Sequence, residues 1–481
     1  MIERLRPGSR IGAFIVGDRV HSGGTGHVYR AKPVEGPGPG FELAVKVPAV
    51  GHGEPTIGVV SFEMELMIHP VLSGLHVPRF VAAGNLDQPY LVMEWIEGEG
   101  LAKHIEGAPL PESQVEVIGA AIADALHDVH RQEVVHHDLK PENVILRTDG
   151  TAILIDFGFA FHARYPDLIG EEMHFTAGSA AYVSPEQMRN VRGDARSDIF
   201  SLGVLLYQLA TGELPFGSPN TVAGMRDRLW RMPVPPRVLN GSMTPWLQEV
   251  ILRCLEADPR KRYQSAAHVA FDLRNAQDVT LSPRAHLTVA PGLASQLSRW
   301  WKAREPLAAA RGPRAAPRAP VILVAVDTTR PDDPRHPSIY WTTRQVLSLN
   351  DEFRLMCVSV VAAPGMGMGT EGLSLSGQQL EHLARLRRWV EPLGLSSERL
   401  SLHVIQAADP STALLALARR NHVDLIVLGA PGPDSMALAW WRSVASGVTA
   451  NAHCSVHVVR VPEYSRADSA PETAERAKDS A

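Results

Sequence analysis

The chain has 481 residues, 45% hydrophobic and 21% charged, with a formal net charge of −5, and its length predicts two or three domains. That charge gives no overall pull toward nucleic acid or an anionic membrane, and Cys254, Cys357 and Cys454 lack the paired spacing of a disulfide framework or structural zinc site. The opening MIERLRPGSRIGAF has no apolar signal core and no apolar run reaches about 18 residues, so no membrane span is expected and the reading is of a cytosolic protein.

In chain order, Ile11–Val16, His27–Lys32 and Phe41–Val47 carry β-formers and are expected strands, with GPGPG at 36–40 as a turn. Gly23, Gly24 and Gly26 lie between the first two, as either a backbone cradle for phosphates or an ordinary glycine hairpin. Lys46 in LAVKV is, by itself, equally a solvated strand lysine, and Glu65 in FEMELMIHPVL equally a surface charge. Apolar positions Val115, Ile118, Ile122, Leu126 and Val129 predict a helix over 112–131. DIFSLGVLLYQLAT at 198–211 is apolar nearly all round, as for a helix buried in a large lobe.

Composition changes near residue 275. Across 281–320 seven Arg or Lys stand against the single acid Glu305, with frequent Pro and Ala, so 276–319 reads as a basic linker; the Trp300–Trp301 pair within it is a docking candidate. VILVAVD, RLMCVSVVA, SLHVI, DLIVLGA and SVHVVRV are then short apolar runs with helical stretches such as 411–421 between them. That alternation predicts a parallel α/β sheet over 320–462. A disordered tail is expected over 463–481, and no internal repeat is present.

The densest chemistry is His136-His137-Asp138-Leu139-Lys140-Pro141-Glu142-Asn143, followed by Asp156-Phe157-Gly158 after two strand-like runs. An Asp and an Asn on one loop, with a second Asp after a hairpin, can converge on one pocket. Asn143 and Asp156 offer hard oxygens suited to Mg2+. Asp138 would orient or accept the proton of an incoming hydroxyl, and Lys140 would neutralise charge on a transferred phosphoryl group.

With GGTGHVY, LAVKV, YLVMEWIEG, HHDLKPEN, DFG, SPE, DIFSLGVLLYQLATGELPF and DPRKRY in this order, residues 10–275 resemble the eukaryotic-like (Hanks-type) Ser/Thr protein kinases of bacteria. The resemblance implies an α+β bilobal kinase fold over 1–275, with a small lobe at about 10–96 and a large lobe at about 97–275. It implies ATP with Mg2+, or Mn2+ in its place, and protein hydroxyls as substrates. By resemblance, Lys46 binds the α/β-phosphates and pairs with Glu65, Met93 is the gatekeeper, and the backbone of Glu94 and Ile96 holds adenine. Val28 and Ala44 complete the ATP-binding set. Glu186 is expected to pair with a buried Arg262, and Asp198 to tie the buried helix to the catalytic loop. Thr176, in HFTAGSAAY, is the candidate phosphosite, the alternative being that it packs or caps.

Two positions depart from the family pattern. His21 replaces the first glycine of the loop, at a cost on the order of 1 kcal/mol if that position needs positive φ. His137 replaces the arginine that in many relatives pairs with a phosphorylated activation loop. Since histidine is mostly neutral near pH 7, activity is expected to depend weakly on that phosphorylation.

Residues 320–462 resemble a universal stress protein domain, through VILVAVD and DLIVLGAPG…RSVASGVTANAHCSVHVVRV. Asp327, Gly429, Gly432 and Ser443 match a second nucleotide site. Arg442, standing for the third glycine of that family's loop, either adds charge for a phosphate or blocks it, and blocking is the reading preferred here. Homodimerisation through the last strand, near Ser455–Val461, is the family's tendency; Trp440 and Trp441 either extend that surface or enter the core. The whole chain thus reads as a kinase regulated by a stress-protein domain. The alternatives are an ATP-binding pseudokinase scaffold, and a nucleotide sensor in which both domains respond to ATP.

Overall fold

The computed structural model describes residues 5–23, 26–48, 57–84, 89–172, 178–219, 221–290, 292, 319–330, 332–348, 353–361, 375–430 and 439–460; the side chains of 222–223, 375–377 and 439–443 lie outside the description. Gly24, Thr176, Gly432, the Trp300–Trp301 pair, most of the expected linker and the 463–481 tail therefore lie outside the described residues, as do the side chains of Trp440, Trp441, Arg442 and Ser443. Two compact units emerge: Met1–Ala316 with Gly372–Leu380, and Pro317–Glu371 with Glu381–Ala481.

The first unit opens with β1 (Arg10–Ile11), β2 (Phe14–Ser22), β3 (His27–Pro33), β4 (Leu43–Val47), α1 (Ile57–Ile68), β5 (Phe80–Ala83) and β6 (Leu91–Glu94). The strands form an antiparallel sheet in the order β1-β2-β3-β4-β6-β5. The strand expected across Ile11–Val16 is broken. Gly12 turns at φ 54°, and a Cβ there would fall 2.1 Å from the Tyr90 hydroxyl oxygen. All five residues of β4 are buried. Its period-2 alternation sends Leu43, Val45 and Val47 into one apolar layer with Phe14, Val16 and Val92. Ala44 faces the other layer, with Phe62, Leu91 and Met93. Lys46 shares the parity of Ala44, so the pleat directs it inward beside α1.

The large lobe follows, with β7 (Glu99–Gly100), α2 (Leu101–Glu106), α3 (Glu112–Arg131), β8 (Val134–Val135), β9 (Val144–Leu146), β10 (Ala152–Leu154), β11 (Phe161–His162) and α4 (Leu168–Glu172). It continues with α5 (Arg196–Thr211), α6 (Val222–Met225), α7 (Pro236–Leu239), α8 (Pro245–Cys254) and α9 (Ala266–Arg274). α3 begins and ends at the residues its periodicity predicts. α5 is buried almost all round, from Ser197 to Ala210, and forms the axis on which α3 and α8 pack. Short antiparallel pairs, β9 with β10 and β8 with β11, bracket the polar loop between them.

The described start of the expected linker is folded, which corrects the boundary at 276. Gln248, fully buried, donates its amide to the carbonyls of Arg284, Ala285 and Leu287, and Glu249 accepts from the backbone and hydroxyl of Ser282. Two polar side chains of α8 thus depend on this segment, Gln248 also accepting the Arg237 N–H at 2.8 Å, and no local composition signals that demand.

The second unit is built of β12 (Val321–Ala325), α10 (Arg335–Leu347), β13 (Arg354–Val361), α11 (Leu375–Val390, of which the part from Glu381 onward falls in this unit), β14 (Leu400–Gln406), α12 (Pro410–Arg420), β15 (Leu425–Gly429), α13 (Ala439–Asn451) and β16 (Ser455–Val459). Its five strands are parallel in the order β14-β13-β12-β15-β16. The inner strands are buried on both faces, which is why they read as unbroken apolar runs. β16 lies at an edge and alternates instead, with Ser455 and His457 exposed.

Candidate active site

The first unit's polar residues converge between its lobes. Lys46 Nζ lies 2.5 Å from Glu65 Oε2 and 2.9 Å from Asp156 Oδ1, with Lys46 and Glu65 only 5% and 1% exposed. Asp156 reaches the lysine from a left-handed backbone, φ 64°. That conformation costs a non-glycine residue on the order of 1 kcal/mol. The next residue, Phe157, is driven into the core, against the rings of His69 and His136.

One ammonium thus serves two carboxylates. Burial works against the charged lysine, but Asp156 and Glu65 outweigh it and its pKa ends raised. Burial likewise favours a neutral Asp156, yet Lys46 overrides it and holds that carboxyl down at about 2. Glu65 is pushed up to about 7, by burial first and by the charge of Asp156, with Lys46 opposing.

The loop His136–Asn143 is held by Asp198, in the first turn of α5. Its carboxylate accepts the backbone N–H of His136 at 2.8 Å and of His137 at 2.9 Å, and the His130 ring nitrogen at 2.8 Å. Burial opposes the charge, but the His130 hydrogen bond leads the groups that bring Asp198 down to about 2. His137, at φ 61°, turns these amides inward. Asp138 then receives Lys140 Nζ at 2.7 Å and Asn143 Nδ2 at 3.1 Å on Oδ2, and the Ser179 N–H at 2.8 Å on Oδ1. Asn143 donates also to the Asp138 carbonyl, so its amide nitrogen is committed and its Oδ1 is left as the acceptor. Burial lowers the Lys140 pKa, and Asp138 more than restores it, leaving it raised.

Val28, Ala44 and Met93 pack together beside the lysine with Phe62 and Leu91. Ile96 is buried. Glu94 turns its carboxylate to Arg79 and Arg147 at 2.9 and 2.7 Å. Gly23 and Gly26 close a tight turn, the Gly23 N–H donating to the Gly26 carbonyl at 2.9 Å. A Cβ on Gly26 would stand 2.5 Å from the Val47 carbonyl oxygen. His21 sits in β2 opposite Val28 and is not among the residues of positive φ, so the strain considered from the sequence does not arise. Glu186 and Arg262 form a buried bidentate pair at 2.5 and 2.8 Å. The serine of SPE has a use: Ser184 Oγ accepts the Gln187 N–H at 3.2 Å.

Other residues at the site carry no motif of their own. Arg192 joins Asp167, the carbonyls of Phe159 and Ala160, and the ring of His137. His69 lies between Phe80 and Phe157, tilted to the first ring and edge-on to the second. It lies one residue past the end of α1, in the 3-10 turn His69–Val71, and its spacing of four from Glu65 is the signal that could have found it.

In the second unit Asp327 and Gly429 lie at the carboxyl ends of β12 and β15, the point where strand order reverses. Arg335 fills the space between them. Its guanidinium holds Asp333 and approaches Asp327 to 3.8 Å, and its Cδ would meet a Cβ on Gly429 at 3.3 Å. The cavity left there is about 10 Å3, no larger than one water requires.

A five-plus-one-stranded antiparallel lobe over a helical lobe, with an ionised lysine–carboxylate cluster between, is the architecture of a phosphotransferase of the kinase class. The protein kinase domain model matches residues 14–272, more than half of the chain, and the chain belongs to that family. The universal stress protein family model matches residues 318–460. The chain is similar to the serine/threonine-protein kinase PknB of Mycolicibacterium smegmatis, 36% identical over 210 residues, 43% of this chain and 33% of that protein. The PknB of Mycobacterium tuberculosis is 37% identical over 190 residues, 38% of this chain and 30% of the relative. A probable serine/threonine-protein kinase of Clostridium acetobutylicum is 30% identical over 269 residues, 55% of this chain and 40% of the relative. The chain therefore spans a third or so of the length of these proteins.

Proposed function

We propose that the protein is a Ser/Thr kinase that transfers the γ-phosphoryl group of ATP to protein hydroxyls, including its own. The observation that carries this reading is the buried convergence of Lys46, Glu65, Asp138, Lys140, Asn143 and Asp156. Lys46, fixed between two carboxylates, presents its charge to the α/β-phosphates. The apolar layer of Val28, Ala44 and Met93 takes one face of the adenine, with the backbone of Glu94 and Ile96 along its edge.

Asn143 Oδ1 and the ionised Asp156 are the hard oxygen donors that fit Mg2+ or Mn2+, which supplies charge neutralisation of the phosphates when bound. Asp138 orients the incoming hydroxyl and receives its proton, the hydroxyl taking the place of the Ser179 N–H on Oδ1. Lys140 stays beside the transferred group as a counter-charge. Lys140, with Thr176 as an autophosphorylation site, supports Ser/Thr rather than Tyr specificity.

The second unit is proposed to regulate the first by pairing rather than by holding a nucleotide, because Arg335 occupies its crevice. Labelled ATP with wild type, Lys46→Met and Asp138→Asn tests the catalytic reading: both variants should lose transfer by about 100-fold or more. Equal label in all three would end it. Nucleotide binding at two sites per chain would end the reading of the second unit.

A further inference from the structure

Between Asp156 and Glu186 the chain must be held still for a protein substrate to align with Asp138. Where the family's arginine would stand, His137 is neutral: burial first, then the neighbouring Arg192 charge, lowers its pKa to about 3. A cation is nevertheless present, supplied by Arg192, a residue of the loop before α5. Its Nε donates to both oxygens of Asp167, at 2.9 and 2.8 Å, and the pair is largely buried, with side chains 9% and 20% exposed. Its NH2 group donates to the Phe159 carbonyl at 2.8 Å and the Ala160 carbonyl at 3.3 Å, immediately after Asp156-Phe157-Gly158. Its own carbonyl accepts the His137 ring N–H, which ties the anchor to the loop that carries Asp138.

Asp167 is itself committed to the segment. Its carboxylate accepts the Gly170 N–H at 3.1 Å and its carbonyl the Glu171 N–H at 2.8 Å, so it starts α4. Leu168 and Ile169 of α4 are 4% and 1% exposed. Arg192 thus joins Phe159, Ala160 and the start of α4, through its guanidinium, to the catalytic loop, through its carbonyl.

We propose that Arg192 and Asp167 are positioning residues, a built-in ion pair that holds the activation segment and makes a phosphate there unnecessary. The carboxylate of Asp167, supplied by the segment itself, is the anion that Arg192 pairs with. This rests on the kinase reading above, so the test has one readout that depends on catalysis and one that does not. Asp167→Asn and Arg192→Met in the full chain should lower kcat about 10- to 100-fold with ATP affinity unchanged, as misplacement of a reacting group does. Hydrogen exchange of amides in 159–162 and 168–172 should speed up about ten-fold in both variants while α5 is unaffected. Asp167→Glu, which keeps the charge, should recover part of both effects. Phosphatase-treated wild type should keep its rate.

Wild-type kcat in both variants, or a wild type inactivated by phosphatase, would overturn the proposal. Exchange that rises equally in α5 would reduce the pair to a general stabiliser and also overturn it. If wild type transfers no phosphate but the exchange pattern holds, the kinase reading fails while the anchor stands.

Discussion

Lowering the pH from 7 to 5 should destabilise the first unit through two buried histidines. His69 and His137 are 1% and 2% exposed. Burial first, then the Lys46 charge, brings His69 down to about 4, with the Pro78 backbone opposing; His137 lies at about 3. In the unfolded chain both return to about 6.5. Between the folded and unfolded values, the unfolded state binds more protons, so stability rises with pH and is lost as the pH falls below about 6.5. Each histidine then contributes a loss of about 2 kcal/mol between pH 7 and pH 5, from 1.36 kcal/mol per unit of pKa difference. Two such losses are a large part of the 5–15 kcal/mol typical of a domain.

Urea unfolding at pH 7, 6 and 5 would measure the slope. The His69→Leu variant isolates one of the two residues, since its neighbours Phe80 and Phe157 accept an apolar side chain. The difference in stability between His69→Leu and wild type should shift by about 2 kcal/mol in favour of the variant on going from pH 7 to pH 5. Parallel pH slopes for the two proteins would show that His69 is protonated in the folded state, and the argument from burial would fail.

Three further outcomes follow from the geometry. Arg262→Ala should cost about 3–5 kcal/mol, because it strands Glu186 without its buried partner, and the loss should appear in chemical denaturation. Glu133→Gly should raise stability by up to about 1 kcal/mol in the same assay, since Glu133 is held at φ 62° and its side chain pairs with the exposed Arg164. Gly26→Ala should weaken ATP binding measured by titration calorimetry, because a Cβ there meets the Val47 carbonyl and moves the glycine turn away from Lys46; unchanged affinity would show that this turn does not approach the nucleotide.

Much of this molecule is legible in its sequence alone. The periodicity of 112–131 locates α3, the all-round apolarity of 198–211 locates α5, and five short, largely apolar runs locate the parallel strands. Such patterns are local: burial of one face, or of both, is written into neighbouring residues. The ordered motifs around Lys46, Asp138, Asn143 and Asp156 were equally visible, because a polyanion, a metal and a hydroxyl demand particular side chains at particular spacings.

Residues that meet only through the fold were not legible. Whether Lys46 points inward depends on the β4 register, and whether His21 is strained depends on its φ. Asp167 and Arg192 lie 25 residues apart without a motif, and Gln248 is joined to 284–287 only by packing. No period or spacing encodes a contact between distant segments, since either partner alone looks like an ordinary solvated side chain. Composition and local pattern settle what each segment of this chain is; burial, register and the need to satisfy each buried polar group settle which charge meets which.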